Sequence, residues 1–203
     1  MMLHKNICFA AGLAMSLWVA NAQAATLTMD LPEQQAVNGL LLEGVHFSYA
    51  IGGAASTDAT APVYAVGDLL HVQDPVLEGS TDGTLLLDFD TSVTDVSFGV
   101  ALQAETAQAD AVWVQAWLGN TLQDQRWLSL VPEVLFAEAR YVLQGLDINR
   151  LQVSFAMPAS RFVLDNLTFT PVASTVPEPA THLLWLAGAL VLGGLARRSH
   201  RQN

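Results

Sequence analysis

Between residues 26 and 170 apolar and polar positions change places over short distances, and each run is cut by Gly, Asp, Asn, Ser, Thr or Pro. Leu151, Val153, Phe155 and Met157 alternate with Gln152, Ser154 and Ala156, the period of two expected of a half-buried strand. After a turn at 158–160, Val163, Asp165, Leu167 and Phe169 alternate with Phe162, Leu164, Asn166 and Thr168, and the two runs read as an antiparallel pair. Upstream, 84–89 and 93–102 are β-prone and joined by Asp90-Thr91-Ser92, a hairpin-like connection. Runs at 111–118 and 126–131 flank Gly119-Asn120, and 26–29, 40–43, 45–51 and 69–72 add further candidates. About ten short strands at turn-bounded spacing predict an all-β fold, an antiparallel β-sandwich of jelly-roll type. Only 132–143 has helical potential, through Glu133, Ala137, Glu138 and Ala139, and a strand suits it equally. Residues 54–62 are the most loop-like.

Both ends break the pattern. His4 and Lys5 precede an apolar stretch at 7–20 and then Ala22-Gln23-Ala24. The small side chains of Ala22 and Ala24 suit the narrow subsites of signal peptidase, so cleavage is expected before Ala25. The chain divides into a signal peptide at 1–24, a β-sandwich domain at 25–170, and a linker plus C-terminal signal at 171–203 with a transmembrane helix at 181–196. In the last segment Val176-Pro177-Glu178-Pro179-Ala180 leads into an apolar run at 183–196, followed by Arg197-Arg198-Ser199-His200-Arg201. Two prolines fix φ and remove backbone donors, so this motif is extended. The apolar segment would span roughly 21 to 26 Å as a helix at about 1.5 Å per residue, short for a permanent span. The arginines hold their end in the cytoplasm.

An extended peptide, a short Leu/Gly/Ala-rich span and a basic cluster, in this order and behind an N-terminal leader, resemble the PEP-CTERM sorting domain of exported proteins in Gram-negative bacteria. The resemblance covers about residues 174–201. Pro177, Glu178 and Pro179 match its recognition motif, and Arg197 and Arg198 its basic cluster. It implies export across the inner membrane and a precursor anchored in that membrane during sorting. It further implies processing by an exosortase-type membrane enzyme, in cells that make exopolysaccharide, with the mature form at the surface or outside the cell. The run from 150 to 170 is also similar to the closing strands of jelly-roll domains found in such proteins, an architecture shared with carbohydrate-binding modules. A sortase-type Leu-Pro-x-Thr-Gly is absent from the sequence.

Charge narrows the partners. Lys5, Arg197, Arg198 and Arg201 are half of the 8 basic residues, while Glu178 alone of the 19 acidic ones lies in the C-terminal signal. The middle therefore holds 4 basic against 18 acidic residues, a net of −14. Such a field repels nucleic acid. Cys8, the only cysteine, leaves with the leader, so disulfides and thiolate chemistry leave with it.

No nucleophile elbow, zinc-protease helix or phosphate loop occurs, and His46 and His71 stand in no motif, so the chain is read as a non-enzyme. Glycoside hydrolysis needs only two carboxylates, and none of the 18 is singled out for it. Asp88 and Asp90 flank Phe89 and share a strand side, with Asp95 beyond the connection; these hard oxygen donors would suit Ca²⁺, and as turn carboxylates they would simply be solvated. Asp165-Asn166 would cap a turn or join that site. Trp113 and Trp117, four apart on one strand, share a face, and Trp127 belongs to the next run. Turned inward they are sandwich core; turned outward they would stack on sugar rings of an exopolysaccharide.

Overall fold

Alternation becomes strand in eleven places in the computed structural model, which describes residues 23–172 apart from 63–66, 68, 134 and 159. These are β1 (Ala25–Leu27), β2 (Leu41–Leu42), β3 (Val45–Ile51), β4 (Ala54–Ala55), β5 (Leu77–Ser80), β6 (Gly83–Leu102), β7 (Gln108–Leu118), β8 (Thr121–Glu133), β9 (Phe136–Val142), β10 (Ile148–Phe155) and β11 (Arg161–Pro171). Every strand pairing is antiparallel, and no helix occurs among the described residues. Ala22, the sorting residues Pro177, Glu178, Pro179, Arg197 and Arg198, and the helix expected at 181–196 lie outside the described residues.

The β6 strand organises the fold because it belongs to both layers. Its first half pairs with β3 on one side and β10 on the other; its second half pairs with β11 and β9. A front sheet β3-β6-β10-β7-β8 therefore shares a strand with a back sheet β1-β11-β6-β9, which β5 extends at the other end of β11. The end of β8 also pairs with β9, from Val131 to Glu133, which gives the sandwich a barrel-like closure. Farther along that seam side chains bridge the two strands: Arg126 Nη1 donates to the Val142 carbonyl at 3.1 Å, and the Tyr141 hydroxyl donates to Asp124 at 3.2 Å. The guanidinium of Arg126 also lies 5.2 Å from the centre of the Tyr141 ring.

One apolar core fills the space between the layers. Val45, Phe47, Tyr49, Leu85, Leu87, Val112, Val114, Leu151 and Val153 enter from the front; Val96, Phe98, Val100, Tyr141, Phe162, Leu164 and Leu167 enter from the back. Phe89 meets Phe169 at 5.1 Å between ring centres and Phe155 meets Phe162 at 4.4 Å, so aromatic contacts join the layers. Each such side chain contributes about 1.5–3 kcal/mol when fully buried. With no cysteine in the domain, packing of this kind is what holds the two sheets together.

Three expectations change. The connection at Asp90-Thr91-Ser92 is no hairpin: neighbours on both sides keep the ladder going, with Asp90 N donating to Gly44 O and Val172 N to Ser92 O, each at 2.8 Å. The irregularity falls instead at Asp95, which takes φ +50° where the register between β6 and β11 shifts. Strands β10 and β11 are not partners, because β6 lies between them: β10 pairs with its first half in the front sheet and β11 with its second half in the back sheet. Residues 69–72 form no strand; they belong to a loop laid on the back sheet. Of the two alternatives for 132–143 the strand is the one formed, at the end of β8 and in β9, since burial of Ala137 and Tyr141 and pairing with β6 outweigh helix propensity.

Candidate functional site

The outer face of the front sheet is set by the alternation in β7. Val112, Val114 and Ala116 are buried, so Trp113, Gln115 and Trp117 point outward. Residues directly opposite each other in an antiparallel sheet face the same way, and the register therefore builds three rows across five strands. Ala50, Thr84, Ser154, Trp113 and Trp127 form the first; Ser48, Leu86, Gln152, Gln115 and Gln125 the second; His46, Asp88, Arg150, Trp117 and Leu122 the third. The Trp113 and Trp127 rings meet at 4.8 Å between centres, tilted by 37°, and Trp127 stays 46% exposed. Trp117 lies four residues along β7, about 13 Å away at roughly 3.3 Å per residue. Glutamine amides occupy the space between. Their donors and acceptors, set between apolar ring faces, form a surface that can stack on a sugar ring and hydrogen-bond its hydroxyls.

The face places the three aspartates as follows. Asp88 and Asp90 do project to one side, and each has a protein partner: Arg150 Nε donates to Asp88 Oδ1, and His46 Nε2 lies 2.9 Å from Asp90 Oδ1. Asp95 is not brought to them; its carboxylate accepts from Gly145 N at 3.2 Å. Among the described residues no group of three His, Cys, Asp or Glu side chains is disposed to hold a metal ion.

The back sheet carries a second arrangement, which the sequence reading missed. Both oxygens of the buried Glu138 accept main-chain hydrogen bonds at 2.8 Å, from Leu70 N and His71 N. Asp165 Oδ2 accepts from Gln73 N at 3.2 Å, and Asn166 Nδ2 donates to His71 O at 3.4 Å. Three back-sheet side chains thus hold the loop by its backbone, and Val72 and Val76 pack beneath it on Ala101 and Val163. Gly99 is what lets the loop come so close, because a Cβ there would stand 1.9 Å from the His71 carbonyl oxygen. Burial pushes the Asp165 carboxyl above its ordinary value, against backbone N–H groups of Asn166, Gln73 and Met29 that pull it down; its Oδ1 makes no hydrogen bond of normal geometry. Beside the loop lies a notch of about 220 Å³ lined by Leu70, His71, Gly99, Arg140, Asn166 and Thr168.

A third cluster pins the neighbouring edge. Arg161 donates through Nε to the buried Glu78 at 2.6 Å and through Nη1 to both oxygens of Asp58, at 2.9 and 3.0 Å. The Tyr49 hydroxyl donates to Ser80 O, and burial, reinforced by Asp58, pushes its pKa up to about 12. These groups are saturated by one another and tie the loop after β4 to β5 and β11, a structural task.

Residues 175–202 match the PEP-CTERM protein-sorting motif. No curated protein matches the chain. Among solved structures the chain is similar to CBM29_1, a family 29 carbohydrate binding module from Piromyces equi, at 14% identity and a TM-score of 0.42, over 81% of this chain and 99% of that one. It is also similar to a mutant of CBM29-2, at 14% identity and a TM-score of 0.41, over 78% of this chain and 99% of that one. At these scores the likeness carries no inference about what this chain binds.

Proposed function

We propose, from a chain that carries a PEP-CTERM protein-sorting motif at 175–202, that the protein is an exported, non-enzymatic component of the cell surface or exopolysaccharide matrix, sorted by an exosortase-type enzyme. In this reading residues 1–24 are removed by signal peptidase, 25–170 are the working domain, and 171–203 hold the precursor in the membrane through a helix at 181–196 until processing. The motif match is the observation that carries the reading. The start of β1 at Ala25 supports it, since that is the residue cleavage after Ala24 would leave first. Processing is tested by the mass of the mature product with and without the host's exosortase-type enzyme. The expected species starts at Ala25 and lacks the segment beyond Val176-Pro177-Glu178-Pro179, and unprocessed chain accumulates in the membrane when the enzyme is missing. An intact Arg197-Arg198 tail in both strains would overturn it.

A second reading follows from the front face: the domain binds a polysaccharide lying along β7, with rings stacked at Trp113 and Trp127 and again at Trp117, and hydroxyls bonded to Gln115, Gln125 and Gln152. The separation of the two aromatic stations favours a chain over a single sugar. Trp127→Ala, at an exposed position, is expected to weaken retention on the host's own exopolysaccharide by about tenfold, on the order of 1.4 kcal/mol, while leaving Tm nearly unchanged. Unchanged retention in both Trp127→Ala and Trp117→Ala would remove this reading and leave the sorting route standing.

A further inference from the structure

We infer that the notch on the back sheet is a site for a carboxylate-bearing small molecule or acidic sugar residue, with Arg140 as its anchor. The inference starts from an imbalance. The domain is strongly acidic, and three of the four arginines among the described residues are committed to carboxylates: Arg126 to Asp124, Arg150 to Asp88, and Arg161 to Glu78 and Asp58. Arg140 is not. It is exposed, and its one hydrogen bond among the described residues goes to the Ser97 hydroxyl at 3.1 Å. In a domain with so many acidic groups, a guanidinium without one is open to a carboxylate brought from outside, which its planar fork suits in bidentate fashion.

Its surroundings fit such a ligand in size and polarity. The notch holds about 220 Å³, more than the roughly 150 Å³ that takes up a benzene ring, so one sugar ring fits. The Asn166 amide and the Thr168 hydroxyl line it; within the protein the amide donates a long bond of 3.4 Å to His71 O, and the hydroxyl makes two long contacts, to Asn166 O at 3.4 Å and to the Thr26 hydroxyl at 3.3 Å. Leu70, His71 and Gly99 complete the lining, with the His71 carbonyl lying directly over Gly99. Of the nearby acidic groups, Glu138 is held by the amides of Leu70 and His71 and Asp165 Oδ2 by that of Gln73, while Asp165 Oδ1 is buried away from solvent. Because the notch opens on the back sheet, it is separate from the tryptophan face of the front one, and the two can be tested apart.

The test is calorimetric titration of the full chain in detergent with sodium glucuronate and, in parallel, with glucose. Glucuronate is expected to bind and glucose not to bind. Arg140→Gln should weaken glucuronate binding at least tenfold, and Trp127→Ala should leave it unchanged. If Arg140→Gln fails to fold, Arg140→Lys, which keeps the charge and loses the fork, is expected to weaken binding as well. Absence of glucuronate binding at millimolar concentration, equal binding of glucose, wild-type affinity in the Arg140 variants, or loss of binding in Trp127→Ala would each overturn the assignment.

Discussion

Asp165 holds a carboxyl where burial opposes its charge. Because its pKa is raised in the folded state, the protein's stability from this group is fully present below the ordinary value of 3.8 and falls as pH rises through the folded value. Asp165→Asn has no such titration. Whatever constant offset the amide introduces through its own hydrogen bonds, the variant is expected to gain stability relative to the parent as pH rises from below 3.8 toward neutrality. Paired urea unfolding curves across that range check the sign, and a difference independent of pH would refute the account. The residue's importance was half legible: the pairing of Asp165 with Asn166 marks a turn or a cap, while the loop it holds comes from 92 positions away. Trp113 and Trp117 illustrate the same limit. Their spacing puts them on one face, but which face depends on Val112, Val114 and Ala116 meeting the back sheet.

Strands were legible wherever one face is buried, as in Val45–Ile51, where the expected and observed bounds coincide. They were misread where the parity of burial changes. In β11 Val163 joins the patch beneath the loop, while Leu167 and Phe169 join the main core, although an unbroken alternation would put all three on one side. The register shift between Asp165 and Thr168, with Asn166 at φ +54°, switches the faces. A related device holds the loop from 69 to 76. The Cβ of Gly99→Ala would be driven into the His71 backbone, and the loop has no room to yield while Glu138 clamps it. The variant is expected to lose about 1–3 kcal/mol by thermal or urea unfolding. Hydrogen exchange should accelerate first at the amides of Leu70 and His71. Wild-type protection there would show that the close approach is not needed.

At the scale of the molecule, 18 acidic residues in the middle of the chain invite a cation. The fold answers part of that charge internally, through Arg150 on Asp88 and Arg161 between Glu78 and Asp58, and Asp90 has the His46 ring as a hydrogen-bond partner. With Asp88 and Asp90 so occupied and Asp95 turned to Gly145, chelation with EDTA is expected to leave Tm unchanged within about 1 °C. A rise of several degrees on adding calcium would contradict this. The pair of Arg150 with Asp88, like other exposed ion pairs, contributes little, about 0–1 kcal/mol, so stability should depend far more on the core between the sheets than on salt.

What this sequence determined by itself are properties that depend on order along the chain: the alternation that makes strands, the acidic middle, and the tripartite tail, whose extended motif, apolar run and basic cluster are contiguous. What only the tertiary structure decided are properties that depend on which strands meet. The sharing of β6 by two layers, the insertion of β6 between β10 and β11, the assembly of Trp113 and Trp127 from adjacent strands, and the notch around Arg140 from four separate segments all belong to this class. The physical reason is that a strand's own pattern specifies which side is buried, while its hydrogen-bonding edges are chemically alike for every residue type and carry no label for the neighbour they will accept.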